Sequence, residues 1–103
     1  MWGRSDHRDT KEKVEALGRR YLELKLDVAD ENTPDVVIQK TVEQFGKVDI
    51  LVNAAGITRR VMAIDISRKD WQDVLDVNLT ALFFMCQAAA RQFIKQGGGG
   101  KII

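Results

Sequence analysis

Three polar residues stand out by type and position. Asp27 closes a stretch of alternating apolar and polar residues, Asn53 opens the quartet Asn53-Ala54-Ala55-Gly56, and Asn78 interrupts a favourable helical run. The first two are 26 residues apart and the second two are 25 apart, each about one strand-plus-helix step. In open α/β folds, ligands bind beyond the carboxyl ends of parallel strands. Ala54, Ala55 and Gly56 carry little or no side chain, so a flat ligand can approach their backbone closely. The Asn53 carboxamide can tie neighbouring strand ends together. Each residue also has a plainer reading. Small residues are common in tight strand-to-loop turns, and an Asp at a strand end is usually a turn or cap residue. Asn78 can be a polar position on an exposed helix face. Its neighbours Val77 and Leu79, and the apolar residues 81–85, argue for burial instead. A buried Asn needs hydrogen-bond partners, which a water-filled site supplies.

Other reactive side chains read differently. Arg59-Arg60 follow the quartet, near where a substrate would enter. A carboxylate substrate suits a bidentate arginine partner, and a solvated basic pair is the alternative. His7 is the only histidine and has no Cys or His ligand set around it, so no metal site is expected. Cys86 sits in an apolar helical segment and reads as core or interface rather than nucleophile. Trp71, Phe83 and Phe84 read as packing residues.

The elements that must position these residues alternate. Residues 10–17 are charged with Val14 and Leu17 on one helix face, and Gly18 ends the run. Residues 21–28 alternate as a strand does. Asn32 or Thr33 caps a second helix with Pro34 at its first position. Val37, Ile38, Val42 and Phe45 form its apolar face, and Gly46 ends it. Residues 48–52 read as a parallel strand buried on both faces. Ser67 followed by Asp70 resembles a capping box that opens a long helix reaching about Gln96. Gly97 to Gly100 stop that helix, and residues 101–103 begin another strand. Residues 1–4 read as the end of an earlier strand. Alternating strands and helices of this kind make a parallel sheet with right-handed crossovers, an α/β class.

Bulk properties set the limits. Net charge is +1, from 16 basic and 15 acidic residues, so no broad field attracts nucleic acid or a membrane surface. Apolar residues make up 45% and charged residues 30% of 103, a soluble mixture sized for one domain. One cysteine permits no internal disulfide and fits a reducing, cytoplasmic setting. The first residues lack the apolar stretch of a secretory signal. The most apolar stretch, residues 79–90, is shorter than the roughly 20 residues of a membrane helix.

Taken together, Asp27-Val28, Asn53-Ala54-Ala55-Gly56 and Asp76-Val77-Asn78-Leu79 resemble the short-chain dehydrogenase/reductase family, over essentially all of residues 3–103. The resemblance implies an incomplete Rossmann-like, doubly wound parallel sheet across residues 1–103. It implies that Asp27 and Val28 contact the adenine, and that Asn53, Ala54, Ala55 and Gly56 line the adenosine side of NAD or NADP. Ala54 stands where the family usually has a second Asn. Asn78 corresponds to the asparagine of the catalytic tetrad, which holds a water in the proton relay. Arg4, after Gly3, is placed to accept a 2′-phosphate and points to NADP. Ala16-Leu17-Gly18-Arg19-Arg20, residues 49–52, Ile57-Thr58-Arg59-Arg60 and Phe83-Phe84-Met85 resemble the subgroup acting on deoxy-gluconate-type sugar acids, largely associated with NAD. The cofactor expectation is therefore NAD or NADP, and the substrate an alcohol or ketone of that class.

The same resemblance implies a full-length enzyme of roughly twice this size. The first strand with its glycine-rich phosphate turn, the catalytic serine and the Tyr-x-x-x-Lys pair are not recognisable here. Tyr21 and Lys25 have that spacing but precede Asp27, so they are rejected as catalytic. Without the first strand, residues 22–26 have no direct neighbour in residues 48–52, which leaves edges open. The chain alone is expected to be inactive. The apolar helix around residues 79–90 packs against a second subunit in the family, so the parent is expected to be a homo-oligomer, dimer or tetramer. A non-catalytic dimerising module is the alternative.

Overall fold

A computed structural model describes residues 8–57 and 60–103; Arg4, His7 and Arg59, and the strand expected at residues 1–4, lie outside them. The described elements are α1 (Arg8–Ala16), α2 (Thr33–Phe45), β1 (Ile50–Leu51), α3 (Arg68–Leu75), a π-helical turn (Asp76–Ala81), α4 (Leu82–Gln96) and β2 (Lys101–Ile102). The last three helical pieces join into one helix, Arg68–Gln96, of 29 residues.

Each helix starts and stops for local reasons. Pro34 lies in the first turn of α2, and Gly46 ends it at φ 91° with its N–H donating to the Val42 carbonyl. Asn32 precedes α2 without a side-chain cap: its backbone is helical (φ −87°, ψ −15°) rather than extended as in a capping residue, and its N–H donates to the Asp30 carboxylate at 2.8 Å. Ser67 caps α3, its Oγ accepting the Asp70 N–H at 3.0 Å. α1 buries no residue; exposed pairs such as Asp9–Lys13, at 3.1 Å, lie along its surface and add little stability.

β1 and β2 pair in parallel, Ile50 with Lys101 and Leu51 with Ile102. The ladder continues past both ends: the Lys101 N–H donates to Asp49, Ile103 to Leu51 and Asn53 to Ile103, at 2.9 to 3.0 Å. Parallel strands need a crossover, and the 29-residue helix supplies it.

Two expectations for the strands need correction. Among the described residues, 21–28 pair with no strand, and residues 28–30 enter a turn; the strand expected at residues 1–4 lies outside those described. Residues 48–52 are not buried on both faces: Ile50 and Val52 are each 59% exposed, because helices cover one face only. That face holds the core. Val48, Ala89 and Phe93 are buried there, with Ile38, Val42 and Leu51 packed around them. The small Ala88 and Ala89 let α4 sit close to α2 and β1. A radius of gyration of 15.9 Å exceeds the roughly 13 Å of a compact domain this long, in keeping with so small a core.

The helix also differs from the sequence reading. Its most apolar 18-residue window has mean hydropathy 1.2, enough by length and composition alone to cross a membrane. Counting unbroken apolar residues understated this, because Thr80 and Gln87 interrupt the run without lowering the average much. Core helices of soluble proteins pass the same test, and 17% of this window is buried here.

Gln96, the last residue of α4, fastens the helix end to the strand. Its Oε1 accepts the Val48 N–H at 3.1 Å and its Nε2 donates to the Val48 carbonyl. Beyond it the chain turns back so tightly that a Cβ on Gly100 would lie 2.4 Å from the Phe93 ring. Gly100→Ala is therefore expected to displace a core ring and cost about 2 kcal/mol. Urea denaturation of the two chains measures this; an unchanged midpoint would contradict the packing described.

Candidate functional site

The quartet after β1 sits where the sheet ends. Asn53 ties it to the neighbouring strand end: its N–H donates to the Ile103 carbonyl at 3.0 Å, and its Nδ2 lies 3.5 Å from the same oxygen and from Cys86 Sγ. The carboxamide thus joins β1, the end of β2 and α4. Cys86 is half-buried and unoxidised beneath it. Ala54 and Ala55 beyond are exposed.

A cavity of about 150 Å³ opens at this edge, touched by Val28, Asn53, Ala54 and Ala55 together with Val77 and Met85 of the long helix. The structure therefore brings Val28 together with Asn53, Ala54 and Ala55, while Gly56 lies outside the cavity lining. The volume is about half the lower bound of roughly 300 Å³ for small-molecule pockets, so it makes one wall of a site. A larger cavity of about 410 Å³ lies between α2 and α4, lined by Ile38, Val42 and Ala88, away from the strand ends.

Asp27 does not line the cavity; it shapes the turn that puts Val28 there. Its Oδ1 accepts the Ala29 N–H at 2.9 Å, and its carbonyl accepts the Thr33 hydroxyl. Thr33 is only 4% exposed. A buried hydroxyl without a partner would be costly, so this bond anchors the Asp27-Val28 turn to the start of α2. The sequence marked Thr33 only as a helix cap; its role as an anchor had no local signal, because Asp27 is six residues away.

Asn78 occupies the middle of the π-helical turn. Contrary to expectation it is an exposed residue, yet its carboxamide is fully engaged. Oδ1 accepts the Ile57 N–H at 2.8 Å and Nδ2 donates to the Ile57 carbonyl at 2.7 Å. The apolar neighbours that argued for burial, Leu79 and Leu82, are themselves 60% and 38% exposed. This pairing explains Gly56: a Cβ there would approach Asn78 Oδ1 to 3.3 Å. Such π turns recur at functional positions.

Among the other expected residues, Arg60 is exposed in the loop that follows. Tyr21 and Lys25 lie in the segment before Asp27, which pairs with no strand among the described residues. Among the described residues, no three His, Cys, Asp or Glu converge as metal ligands. The glycine run 97–100 follows a helix and leads into a strand, the reverse of the order in a phosphate-binding turn. The described residues thus offer a small cavity at the strand ends and no glycine-rich turn between a strand and a following helix.

Gly56→Ala is expected to push Asn78 off Ile57 and cost about 1 kcal/mol. The Ile57 amide resonance and the urea midpoint report it together. An unmoved resonance would contradict the contact.

The comparisons with known proteins agree with this geometry. A family model described as short chain dehydrogenase matches residues 2–103. The 2-dehydro-3-deoxy-D-gluconate 5-dehydrogenase of Dickeya dadantii (strain 3937) is 55% identical over 96 residues, 93% of this chain and 38% of that protein. The protein of the same name from Escherichia coli (strain K12) is 50% identical, over 92% of this chain and 38% of its own length. Among solved structures, a short-chain type dehydrogenase/reductase from Mycobacterium marinum superposes with a TM-score of 0.88 at 28% identity, over 93% of this chain and 38% of that one. A short chain dehydrogenase from Burkholderia cenocepacia J2315, in complex with NADP, gives 0.83 at 38% identity, over 92% and 38%. The chain thus spans under two-fifths of the length of these relatives. Its fold is the matching part of their Rossmann-like sheet, and the chain belongs to the short-chain dehydrogenase/reductase family.

Proposed function

We propose that this chain is the central part of the nucleotide-binding domain of an NAD(P)-dependent oxidoreductase acting on a deoxy-gluconate-type sugar acid. In the parent reaction the cofactor exchanges a hydride with the carbon bearing the substrate's hydroxyl or keto group. The observation that carries the reading is the juxtaposition at one sheet edge of Val28, Asn53, Ala54 and Ala55 around a single cavity. Asn78 is locked to the residue that follows Gly56. Identity of 55% to a 2-dehydro-3-deoxy-D-gluconate 5-dehydrogenase supports the substrate class.

Each residue has a role in this reading. Asp27 and Val28 bound the adenine, with the turn held by Thr33. Ala54, Ala55 and Gly56 keep the backbone open to the adenosine. Asn78 stands at the catalytic end and fixes the backbone that leads to the substrate loop. Arg59 and Arg60 are the substrate-side cations, and Arg4 the contact to the ribose. NAD and NADP both remain consistent with this set. The protein is placed in the cytoplasm as a soluble homo-oligomer, without nucleic-acid or membrane partners.

The chain alone is inactive in this reading. It holds one tyrosine, Tyr21, in a segment that precedes the Asp27 turn, so no proton donor of the required kind stands beside Asn78. A second reading has one specific support. Trp71, Leu79, Phe83 and Ile94 of the long helix are each more than half exposed, which suits a dimerising module.

The purified chain is expected to show no NAD(P)+-linked oxidation of 2-dehydro-3-deoxy-D-gluconate and no NAD(P)H-linked reduction of its 5-keto form, while a chain extended to the relatives' full length does. Turnover by the 103-residue chain would overturn the first expectation. Inactivity of the extended chain on sugar acids would overturn the substrate assignment, and dimerisation in light scattering without nucleotide binding would favour the second reading.

A further inference from the structure

Two helix carboxamides make the same unusual contact. Asn78 brackets both backbone groups of Ile57, and Gln96 brackets both backbone groups of Val48. Each pair copies the donor and acceptor of a neighbouring strand. The two bracketed residues flank β1, and the two brackets sit near opposite ends of the antiparallel helix.

Slipping the strand by one residue moves it about 3.3 Å, more than a hydrogen bond tolerates. One such slip therefore opens both brackets together. Between them the contact rests on a small core of Val48, Ala89 and Phe93. Gln92, one turn before Gln96, donates to Gln96 Oε1 at 3.1 Å and helps hold it in place.

We infer that Gln96 is a positioning residue for Asn78: by clamping Val48 it sets the register that puts the Asn78 carboxamide on Ile57. This rests on Asn78 being a site residue, as proposed above. Gln96 touches neither substrate nor cofactor and acts through the helix.

The chemistry of the clamp gives a reversible test. In Gln96→Glu the shape is kept, but at neutral pH the carboxylate has no donor for the Val48 carbonyl, and repulsion between the two facing oxygens opens the bond to the Val48 N–H as well. Protonating it, near the usual glutamate value of about 4.3, restores one donor and one acceptor. The experiment measures amide hydrogen-exchange protection in the ¹⁵N-labelled 103-residue chain, against wild type at the same pH. Lys95→Gln, an exposed neighbour, serves as control. At pH 7 the variant is expected to lose about tenfold protection at Ile57 as well as Val48, the worth of roughly one hydrogen bond, with Ala89 changed less than about twofold. At pH 3.5 Ile57 recovers. Gln96→Asn, too short to span both groups, is expected to lose Ile57 protection at both pH values.

Loss at Val48 alone, or equal loss at Ile57 and Ala89, would overturn the proposal. If Gln96→Glu fails to fold, Gln96→Asn decides by the same readout; if neither folds, Gln96 serves general stability and the proposal falls. No cofactor is used, so failure here leaves the oxidoreductase reading untouched, and failure of that reading leaves this result standing.

Discussion

The arrangement depends on one pairing, the Asn78 carboxamide against the backbone of Ile57. Asn is a poor helix residue because its side chain competes for backbone groups. Here it competes for those of another segment. The helix meets Asn78 with a π turn, and the loop after β1 gains partners for both backbone groups of Ile57. Gly56 has no side chain because Asn78 approaches where one would be. Asn53 performs the matching task one strand over, joining the ends of β1 and β2. Carboxamides, rather than a large apolar core, hold the site edge in shape.

That economy explains why the site is one-sided. The core gathers where α2, α4 and Val48 meet, below the strand ends. The opposite face of β1 is open at Ile50 and Val52, and among the described residues 21–26 pair with no strand. A dinucleotide needs walls on both sides of the strand ends and a donor-rich turn for its phosphates. The described residues supply the wall carrying Val28 and the quartet. This agrees with a chain that covers 38% of the length of its relatives.

Much of this was legible in the residues. Helix limits followed from Pro34, Gly46, Ser67 and Gly97, whose effects are local. The parallel strands at 50–51 and 101–102 followed from apolar runs at the expected spacing. Alternation at residues 21–28 has no pairing strand among the described residues, because a strand exists only where another chain segment takes its hydrogen bonds. Burial of residues 48–52 and of Asn78 was misjudged for a related reason: composition records what a segment can bury, not what is present to cover it. The Thr33 anchor and the Gln96 clamp were invisible, since both bind backbone atoms of residues distant in sequence, and backbone atoms carry no sequence signal.

The central claim is that the edge formed by Val28 and residues 53–56 is the adenosine wall of a dinucleotide site. Chemical-shift mapping on the ¹⁵N-labelled chain tests it most directly, comparing adenosine monophosphate with nicotinamide mononucleotide. The account predicts that the adenosine compound shifts the amides of Val28 and residues 53–56 while the nicotinamide compound leaves them in place. Shifts confined to the cavity between α2 and α4, or equal responses to the two halves, would contradict it.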